Sequence, residues 1–379
     1  MREYQICTKC VMDTSDNNIQ FDENGVCDHC HDFENNVKPN WHTDERGKLE
    51  LTKIMEKIKA SGKGKDFDCL LGLSGGVDSS YMLHLAVKEF GLRPLVFHVD
   101  GGWNSELAVH NINVMIDKLG LDLYTEVINW EEMKDFQLAF FKSGVPHIDL
   151  PQDHAFVATL YHFANKYNIK YILNGGNFST ECVQYPMQWF YYGTDMTHIN
   201  DIRKQFGTIK METYPFSSVF RHKIYLKYIK GVNVEKPLNY MPFVKEEALA
   251  ILEKEYGWKP YPQKHFESRF TKFYEGYWLP ERFGYDTRKV QYSSLILTGQ
   301  MTREEAVEKL KKPAYDPSNI DDEFNYIATK IGITSDELKQ YLTMPKKYFW
   351  DYKNQQNIFK LGAKIMHLIG AEKVVKRKK

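Results

Sequence analysis

The sequence lacks an excess of charge of either sign. Its 379 residues include 50 lysines and arginines and 50 aspartates and glutamates, so no overall field favours nucleic acid as a partner. It also lacks an apolar run of membrane-spanning length, and Met1-Arg2-Glu3-Tyr4 does not begin a secretory signal peptide. We therefore expect a cytoplasmic protein without a membrane partner. The one basic run, residues 373–379, is typical of a solvated tail.

Cysteine is scarce after the first 30 residues. Four of the six cysteines form the pairs Cys7-x-x-Cys10 and Cys27-x-x-Cys30. Two such pairs suit a tetrahedral zinc ribbon, in which four thiolates bind one Zn²⁺ ion and leave no position open for catalysis. The alternatives are a disulfide or a redox-active pair, and a cytosolic redox poise disfavours the former. Cys69 is expected in the core, and the role of Cys182 stays open.

The sequence has a glycine turn but lacks the Gly-Lys-Ser/Thr end of a Walker A loop. An apolar run, residues 67–73, stops at Ser74-Gly75-Gly76, and an amphipathic segment begins at Asp78-Ser79-Ser80. This pattern predicts a buried strand, a tight turn and a helix N-terminus, where backbone N–H groups favour an anion such as phosphate. An ordinary glycine-rich turn is the alternative. The motif resembles the pyrophosphate loop (PP-loop) of ATP pyrophosphatases, Ser-Gly-Gly-x-Asp-Ser.

Apolar runs and amphipathic segments alternate through the middle of the chain. They predict strands at 67–73, 94–99, 123–128 and 169–173, and helices at 79–90, 106–119 and 154–167. Such alternation with short connections favours an α/β fold with a doubly wound parallel sheet, which binds ligands at the carboxyl ends of its strands.

Four regions follow from these patterns. We expect a zinc ribbon at 1–35, a linker helix within 36–64, a PP-loop domain at 65–230, and a helical, aromatic-rich region for substrate or partner binding at 231–379. Helices of this last region are predicted at 245–256, 302–310, 321–331 and 335–342. The second starts with a Thr302-x-x-Glu305 capping box, and the fourth starts at Ser335-x-x-Leu338 without one.

Glycines and polar residues follow the predicted strands. His98-Val99-Asp100-Gly101-Gly102-Trp103-Asn104 ends the second strand, and Asn174-Gly175-Gly176-Asn177 ends the last, with Glu181 soon after. Glycine allows the backbone to approach a ligand closely. Pro151-Gln152-Asp153-His154 stands between them before a helix, where Asp153 could simply cap the helix, just as Glu181 could be an exposed residue of a first turn.

Nearly the full chain resembles the N-acetyl sugar amidotransferases of the PP-loop ATP pyrophosphatase superfamily. The resemblance covers Cys-Thr-Lys-Cys-Val-Met-Asp-Thr-Ser-Asp at 7–16, Val-Asp-Gly-Gly-Trp-Asn-Ser-Glu-Leu-Ala-Val at 99–109, Pro-Gln-Asp-His at 151–154 and much of 265–305. That family is associated with bacterial surface polysaccharides such as the lipopolysaccharide O-antigen. Because the family belongs to the PP-loop superfamily, the resemblance also implies an adenine nucleotide alpha hydrolase-like fold.

The resemblance also implies an ATP-dependent ligase. Such an enzyme adenylates the N-acetyl carbonyl of a nucleotide-linked sugar with release of pyrophosphate, and ammonia then displaces AMP to leave an acetamidino group. The implied cofactors are ATP and Mg²⁺ beside the structural Zn²⁺. A separate glutaminase subunit and a cyclase-like subunit are the implied ammonia suppliers, because no Cys-His-Glu glutaminase unit is recognisable in this chain.

The family pattern carries over onto particular residues. It implies nucleotide binding by Ser74, Gly75, Gly76, Asp78, Ser79, Ser80, His98, Val99, Asp100, Gly175 and Asn177, with Gly176 beside them. Asp78, Glu181 and Asp153 are the candidate catalytic carboxylates, and Trp103, Asn104 and His154 are candidate substrate contacts. Cations among aromatic residues suit a nucleotide diphosphate, which adds Arg269, Arg282, Arg288 and Lys289, although a packed helical core explains each of these equally well.

Two other functions remain open. A zinc ribbon followed by a PP-loop also occurs in tRNA-thiolation enzymes, which use cysteines in the nucleotide domain and a basic surface for tRNA. Here that domain offers only Cys69 and Cys182, and the net charge is zero. A binding scaffold with a degenerate nucleotide site is the third possibility, and the intact Ser-Gly-Gly-x-Asp-Ser-Ser argues against it.

Overall fold

A parallel five-stranded sheet forms the centre of the molecule. The computed structural model describes residues 2–368, so the basic run at 373–379 lies outside the described residues. The strands are β1 (Cys69–Gly72), β2 (Pro94–Asp100), β3 (Leu123–Val127), β4 (Tyr171–Leu173) and β5 (Asn233–Glu235). They pair in the order β3-β2-β1-β4-β5, and every pair is parallel. This doubly wound order confirms the predicted fold class.

Helices cover both faces of the sheet and form the C-terminal region. Those up to residue 206 are α1 (Asp28–Asp32), α2 (Glu45–Gly62), α3 (Val77–His84), α4 (Glu106–Leu119), α5 (Trp130–Ser143), α6 (Leu150–Lys166), α7 (Phe178–Glu181) and α8 (Met196–Phe206). The later ones are α9 (Lys245–Tyr256), α10 (Arg269–Phe273), α11 (Leu279–Phe283), α12 (Arg288–Leu297), α13 (Arg303–Leu310), α14 (Ile320–Ile331), α15 (Ser335–Thr343) and α16 (Gln356–Leu368). Among the described residues, no helix is both long and apolar enough to cross a membrane.

The sheet is buried on both faces, as expected for parallel strands. On one face Leu71 and Val96 pack with Ile58 of α2 and Leu252 of α9. On the other face Leu70, Phe97 and Ile172 pack with Phe163 of α6 and neighbouring residues. Helix α2, predicted as a linker, therefore completes the core of the sheet domain.

The cysteine-rich N-terminus packs on the C-terminal helices. Its backbone is held by the short antiparallel bridges Ile6–Asp13 and Phe21–Cys27. The Arg303 side chain of α13 donates hydrogen bonds to the backbone oxygens of Cys7 and Cys10, and Lys289 pairs with the buried Asp13. Chain segments far apart in sequence thus share one core, because the ribbon alone has too few apolar residues to bury itself.

Candidate nucleotide-binding site

The predicted glycine turn joins β1 to α3. Gly75 adopts φ +84°, a left-handed conformation that favours glycine, and Gly76 precedes the first residue of α3. The Ser79 hydroxyl lies 3.1 Å from the Ser74 hydroxyl and donates to the backbone oxygen of Gly76 at 3.2 Å. The turn is therefore closed by its own serines, and the N-terminus of α3, where backbone N–H groups favour an anion, follows it directly.

A second glycine turn, at the end of β4, lies directly against the first. A Cβ atom on Gly175 would lie only 2.5 Å from the backbone oxygen of Asp78, so no larger residue fits there. Asn177 caps α7 through its side-chain oxygen, and its amide donates to Asp78 at 3.4 Å. The two turns predicted to flank a nucleotide are thus in mutual contact.

A cavity of about 380 Å³ opens above these two turns, and we call it the phosphate cavity. Its walls come from the ends of β1, β4 and β5, from α9 and from the segment at 263–267. Seven of the residues singled out from the sequence line it: Ser74, Gly76, Asp78, Ser79, Gly175, Gly176 and Glu181. Its position at the carboxyl ends of the strands is the one expected for a ligand in this fold.

Three lysines that the sequence analysis missed also line the phosphate cavity. They are Lys236, directly after β5, Lys245, the first residue of α9, and Lys264. No hydrogen bond or ion pair engages the ammonium groups of Lys236 and Lys245 within residues 2–368, and burial lowers the pKa of Lys245. Unpaired cations beside a helix N-terminus suit the phosphates of a nucleotide.

Lys264 bridges two of the predicted carboxylates. Its ammonium donates to Asp78 at 3.1 Å and to Glu181 at 2.6 Å. Burial disfavours the charged form of Glu181, but the charge and hydrogen bond of Lys264 outweigh it and lower the pKa of Glu181 to about 2. Glu181 is therefore ionised at neutral pH and is a ligand for cations rather than a general base.

The residues after Lys264 complete the rim of the cavity. His265 has a positive φ of 67°, which is uncommon for a residue other than glycine, and its Nδ1 lies 3.0 Å from the buried Glu275. Burial opposes its protonation, yet the negative charge of Glu275 raises the pKa of His265 to about 9. A Cβ atom on Gly76 would lie 2.0 Å from the Glu267 carboxylate, and burial raises the pKa of that carboxyl group.

The segment after residue 266 is tied to the loop that follows β2. The Ser105 amide donates to the backbone oxygen of Glu267 at 2.9 Å, and the Arg269 amide donates to that of Trp103 at 2.8 Å. Further back, the Trp258 indole donates to the backbone oxygen of Gly75 at 3.2 Å. The C-terminal region thus supplies one wall of the phosphate cavity and holds the glycine turn in place.

The other predicted nucleotide contacts lie around the cavity rather than in its lining. His98 lies 2.8 Å from the backbone oxygen of Leu73 through Nδ1, and its Nε2 lies 2.9 Å from the Asn104 amide. Ser80 is buried and accepts from Trp258 at 3.2 Å. Val99 and Asp100 end β2, where nucleotide binding by their main chain stays a prediction.

Several predicted substrate and catalytic residues have structural partners instead. Asp153 is not the cap of α6, which begins after Asp149, and it pairs with His147 at 3.1 Å outside the cavity. His154 is buried, with Gly193 and Ser217 backbone groups on its two ring nitrogens. Both ring nitrogens of His154 are engaged, and neither His154 nor Asp153 lines the phosphate cavity, so we do not place these two side chains against a ligand there.

The other predicted substrate contacts, Trp103 and the cations Arg269, Arg282, Arg288 and Lys289, also have structural partners. Trp103 is buried, and its indole donates to Gln137. Arg282 is buried and donates to backbone oxygens of residues 342, 344 and 345, while Arg288 is buried against Asp286. The remaining pairs are Lys289 with Asp13 and Arg269 with Glu323. These cations hold helices and the ribbon together, so the packed helical core is the better explanation of this segment.

A second cavity, of about 240 Å³, lies between α7 and α12, and we call it the interdomain cavity. It shares Glu181, Lys236 and Lys264 with the phosphate cavity, so the two meet at the Lys264–Glu181 ion pair. Its remaining polar lining is uncharged: Asn177, Thr180, Gln184, Tyr185, Asn239, Gln291 and Ser294. Only Asn177 of these was predicted as a site residue.

The four N-terminal thiols are spaced for one metal ion. All are buried, and their sulfurs lie within 4.8 Å of one another, with separations of 3.6, 3.7 and 3.8 Å for three of the pairs. Four thiolates bound tetrahedrally at about 2.3 Å from Zn²⁺ would be about 3.8 Å apart. A disulfide requires about 2.05 Å, and all six cysteines are free, so the disulfide alternative is wrong.

Comparisons with known proteins identify two regions of the chain. Residues 50–211 match the NAD synthase family, and residues 267–366 match the family described as LPS biosynthesis protein WbpG-like, C-terminal domain. No curated protein shows significant similarity to the chain.

Solved structures with detectable similarity are distant. An NH3-dependent NAD synthetase from Campylobacter jejuni is 16% identical, with 79% of this chain and 98% of that chain covered and a TM-score of 0.31. The U34-tRNA thiolase NcsA from Methanococcus maripaludis, with its [4Fe-4S] cluster, is 12% identical over 91% of this chain and 90% of that chain, with a TM-score of 0.30.

The sheet order, the glycine turn and the phosphate cavity define a nucleotide-binding protein of the PP-loop class. The WbpG-like match then places the chain more narrowly. The chain therefore combines a PP-loop domain of the NAD synthase type with a WbpG-like C-terminal domain, which supports the predicted family.

Proposed function

We propose that this protein is an ATP-dependent amidotransferase of bacterial surface-glycan (O-antigen) biosynthesis. It adenylates the N-acetyl carbonyl of a nucleotide-linked sugar, and ammonia from glutaminase and cyclase-like partner subunits converts that group to an acetamidino group in the cytoplasm. One observation supports this most: Glu267, the first residue matched by the WbpG-like domain, lies against Gly76 of the PP-loop. The domain associated with LPS biosynthesis therefore forms part of the nucleotide cavity.

The proposed reaction has two steps. The amide oxygen bonds to the α-phosphorus of ATP as the bond to the β-phosphate oxygen breaks, and pyrophosphate leaves. Ammonia then adds to the activated carbon, AMP departs with the former amide oxygen, and loss of one proton from nitrogen leaves the acetamidino group as its amidinium cation. Activation is needed because the amide nitrogen donates electrons into the carbonyl, which makes it a poor electrophile.

The phosphate cavity provides what the first step requires. Backbone N–H groups at the start of α3 bind the leaving pyrophosphate, and the unpaired ammonium groups of Lys236 and Lys245 neutralise its charge. Asp78 and Glu181 would hold Mg²⁺, which supplies further charge neutralisation on the phosphates when bound. The four cysteines would hold Zn²⁺ in a purely structural site, since all four positions are protein ligands.

The tRNA-thiolation alternative has less support. Sulfur transfer needs a reachable thiolate, and both cysteines outside the ribbon are buried, Cys69 completely and Cys182 with 3% of its surface exposed. Burial raises the pKa of both thiols, that of Cys182 to about 12. Neither is therefore suited to carry sulfur.

AMP release separates the two functions. The purified protein is given ATP, Mg²⁺ and ammonium salts with a panel of UDP-linked N-acetyl sugars, with non-acetylated sugar nucleotides, or with tRNA. We expect stoichiometric AMP and pyrophosphate only with an N-acetyl sugar, and a product one mass unit lighter than the acceptor as oxygen is replaced by NH. Release that depends on tRNA, or that occurs equally with non-acetylated sugars, would contradict the proposal.

A further inference from the structure

The interdomain cavity has polar groups without a structural task. The side chains of Asn177 and Thr180 bond to each other, and Asn239 accepts from the backbone amide of Phe178 at 2.7 Å. In contrast, the Gln184 amide has no hydrogen-bond partner within residues 2–368, and the Gln291 amide has only a 3.5 Å contact with the Tyr185 hydroxyl. These half-buried amides are free to bind water or a ligand.

The chemistry of this lining excludes some ligands. Its own side chains are amides and hydroxyls beside the rings of Phe178 and Tyr185, while the charged groups stand only at the boundary with the phosphate cavity. Both lysines of its lining, Lys236 and Lys264, are shared with the phosphate cavity, so a phosphate or carboxylate would be drawn to that boundary rather than to the amides and hydroxyls. A neutral ring with several hydroxyl groups would find both donors and acceptors, and an aromatic face against which to pack.

We propose that the interdomain cavity binds the sugar ring of the acceptor, an uncharged polyhydroxylated ring that carries the acetamido group. This inference rests on the proposed function. Tyr185 and Gln291 bind ring hydroxyls, with Gln184 at the same wall, and the acetamido group points past Lys264 into the phosphate cavity. The two cavities share Glu181, Lys236 and Lys264 in their linings, so this direction brings the amide oxygen toward the α-phosphate.

None of the four cations that the sequence favoured for the acceptor lines the interdomain cavity, although Arg288 and Lys289 begin the same helix, α12. The cavity is built by α7 of the PP-loop domain and α12 of the WbpG-like domain, so both domains determine which sugar fits. Interfaces between domains are a preferred position for small-ligand sites.

Two conservative variants test the assignment. Tyr185→Phe removes a hydroxyl and keeps the ring that packs 4.6 Å from Phe190, and Gln291→Leu removes the amide at nearly constant volume. Gln340→Leu, at an exposed position of α15, is the matched control. We expect about a tenfold higher KM for the N-acetyl sugar nucleotide in each cavity variant, the effect of one lost hydrogen bond. The affinity for a non-hydrolysable ATP analogue, measured by calorimetry, should change less than twofold in all three.

The possible results of these measurements distinguish failure of the sugar site from failure of the proposed amidotransferase function. An unchanged KM for the sugar in both cavity variants, with an active wild type, overturns the sugar site and leaves the proposed function standing. A wild type that releases no AMP with any N-acetyl sugar overturns both. Retained affinity for the ATP analogue shows that a variant is folded, and an equal loss of both affinities would assign Tyr185 and Gln291 a structural role and overturn the site.

Discussion

Lys264 donates a 2.6 Å hydrogen bond to Glu181 at the boundary between the phosphate cavity and the interdomain cavity. If ATP and the acceptor occupy the two cavities as proposed, adenylation would occur near this pair, because both cavities include it in their linings. Lys264 lies just before the WbpG-like match and Glu181 lies in the NAD synthase match, so the ion pair also joins the two regions.

Removal of the Lys264 charge should weaken nucleotide binding. In Lys264→Met, Asp78 and Glu181 face each other and the phosphates without a resident cation, so we expect at least a tenfold loss of affinity for an ATP analogue. The free energy of unfolding should fall by about 2 kcal/mol, as for other hydrogen bonds between charged groups. Lys339→Met, which breaks the exposed pair with Asp321, is the control. Calorimetry that finds the two variants equal in affinity would show that Lys264 has no role in the site.

Alanine at Gly175 should displace the PP-loop. The new Cβ would contact the backbone oxygen of Asp78 at 2.5 Å, so the first turn of α3 has to move. Overpacking of this kind costs about 1–3 kcal/mol of stability. Gly193→Ala is the matched control because nothing lies within 4 Å of its Cβ position. Thermal unfolding and ATP-analogue titration should both distinguish the variants, and equal results would argue against contact between the two turns.

The pair of His265 and Glu275 should make stability depend on pH in the alkaline range. The pKa of His265 is raised from 6.5 to about 9 in the folded protein, so the pair stabilises the fold fully below about pH 6.5 and loses this effect as the pH rises through 9. His265→Gln should therefore be less stable than the wild type at pH 6 and approach it at pH 9.5. Urea unfolding at both pH values measures this, and a difference that does not shrink would contradict the pairing.

One metal ion should bind per chain at the four N-terminal cysteines. Cys27→Ser should lose the metal, whereas Cys182→Ser, a buried cysteine outside the cluster, should keep it. Elemental analysis should find zinc near one equivalent, and X-ray absorption should show four sulfur ligands. An iron content with strong visible absorbance would instead identify an iron–sulfur centre. Loss of the metal should also expose to solvent the hydrogen bonds that Arg303 donates to the backbone oxygens of Cys7 and Cys10.

Local sequence patterns were sufficient for elements whose ends carry their own markers. Helix α4 begins after Ser105, whose hydroxyl accepts from the Ala108 amide, and ends at Gly120 in a left-handed conformation. The predicted bounds of α4 and α9 therefore coincide with the structure. Helix α15 starts at Ser335 as predicted, but its cap is Thr334, which forms a capping box with Glu337, whereas the predicted cap Ser335 has no partner of this kind three residues later.

Strand β5 was missed because long-range pairing alone defines it. Its three residues, Asn233–Glu235, contain a single apolar side chain and become a strand only beside β4. With β5 unpredicted, the rule that ligands lie at strand ends could not point to Lys236. Lys264 was missed for a related reason, since nothing within its own segment distinguishes a lysine that pairs with distant carboxylates from an exposed one.

The opposite error was to predict structural arginines as ligand contacts. Arg282 and Arg288 stand among aromatic residues, as ligand-binding cations often do, yet their donors bind backbone oxygens at helix ends and Asp286. Composition cannot tell these two uses apart because both need a cation beside apolar surface. Only the hydrogen-bond and ion-pair partners in the folded protein distinguish a structural arginine from a ligand-binding one.

The hydrogen bonds of Trp258 to Gly75 and of Ser105 to Glu267 have a consequence for domain exchange among relatives. A hybrid joined at residue 267, where the WbpG-like match begins, would keep Trp258 with Gly75 and Lys264 with its two carboxylates, but it would separate His265 from Glu275. A junction before residue 257 would keep His265 with Glu275, but it would separate Trp258 and Lys264 from their partners in the PP-loop domain. Neither junction preserves all of these contacts, so a hybrid of two relatives should need matching residues on both sides of the phosphate cavity.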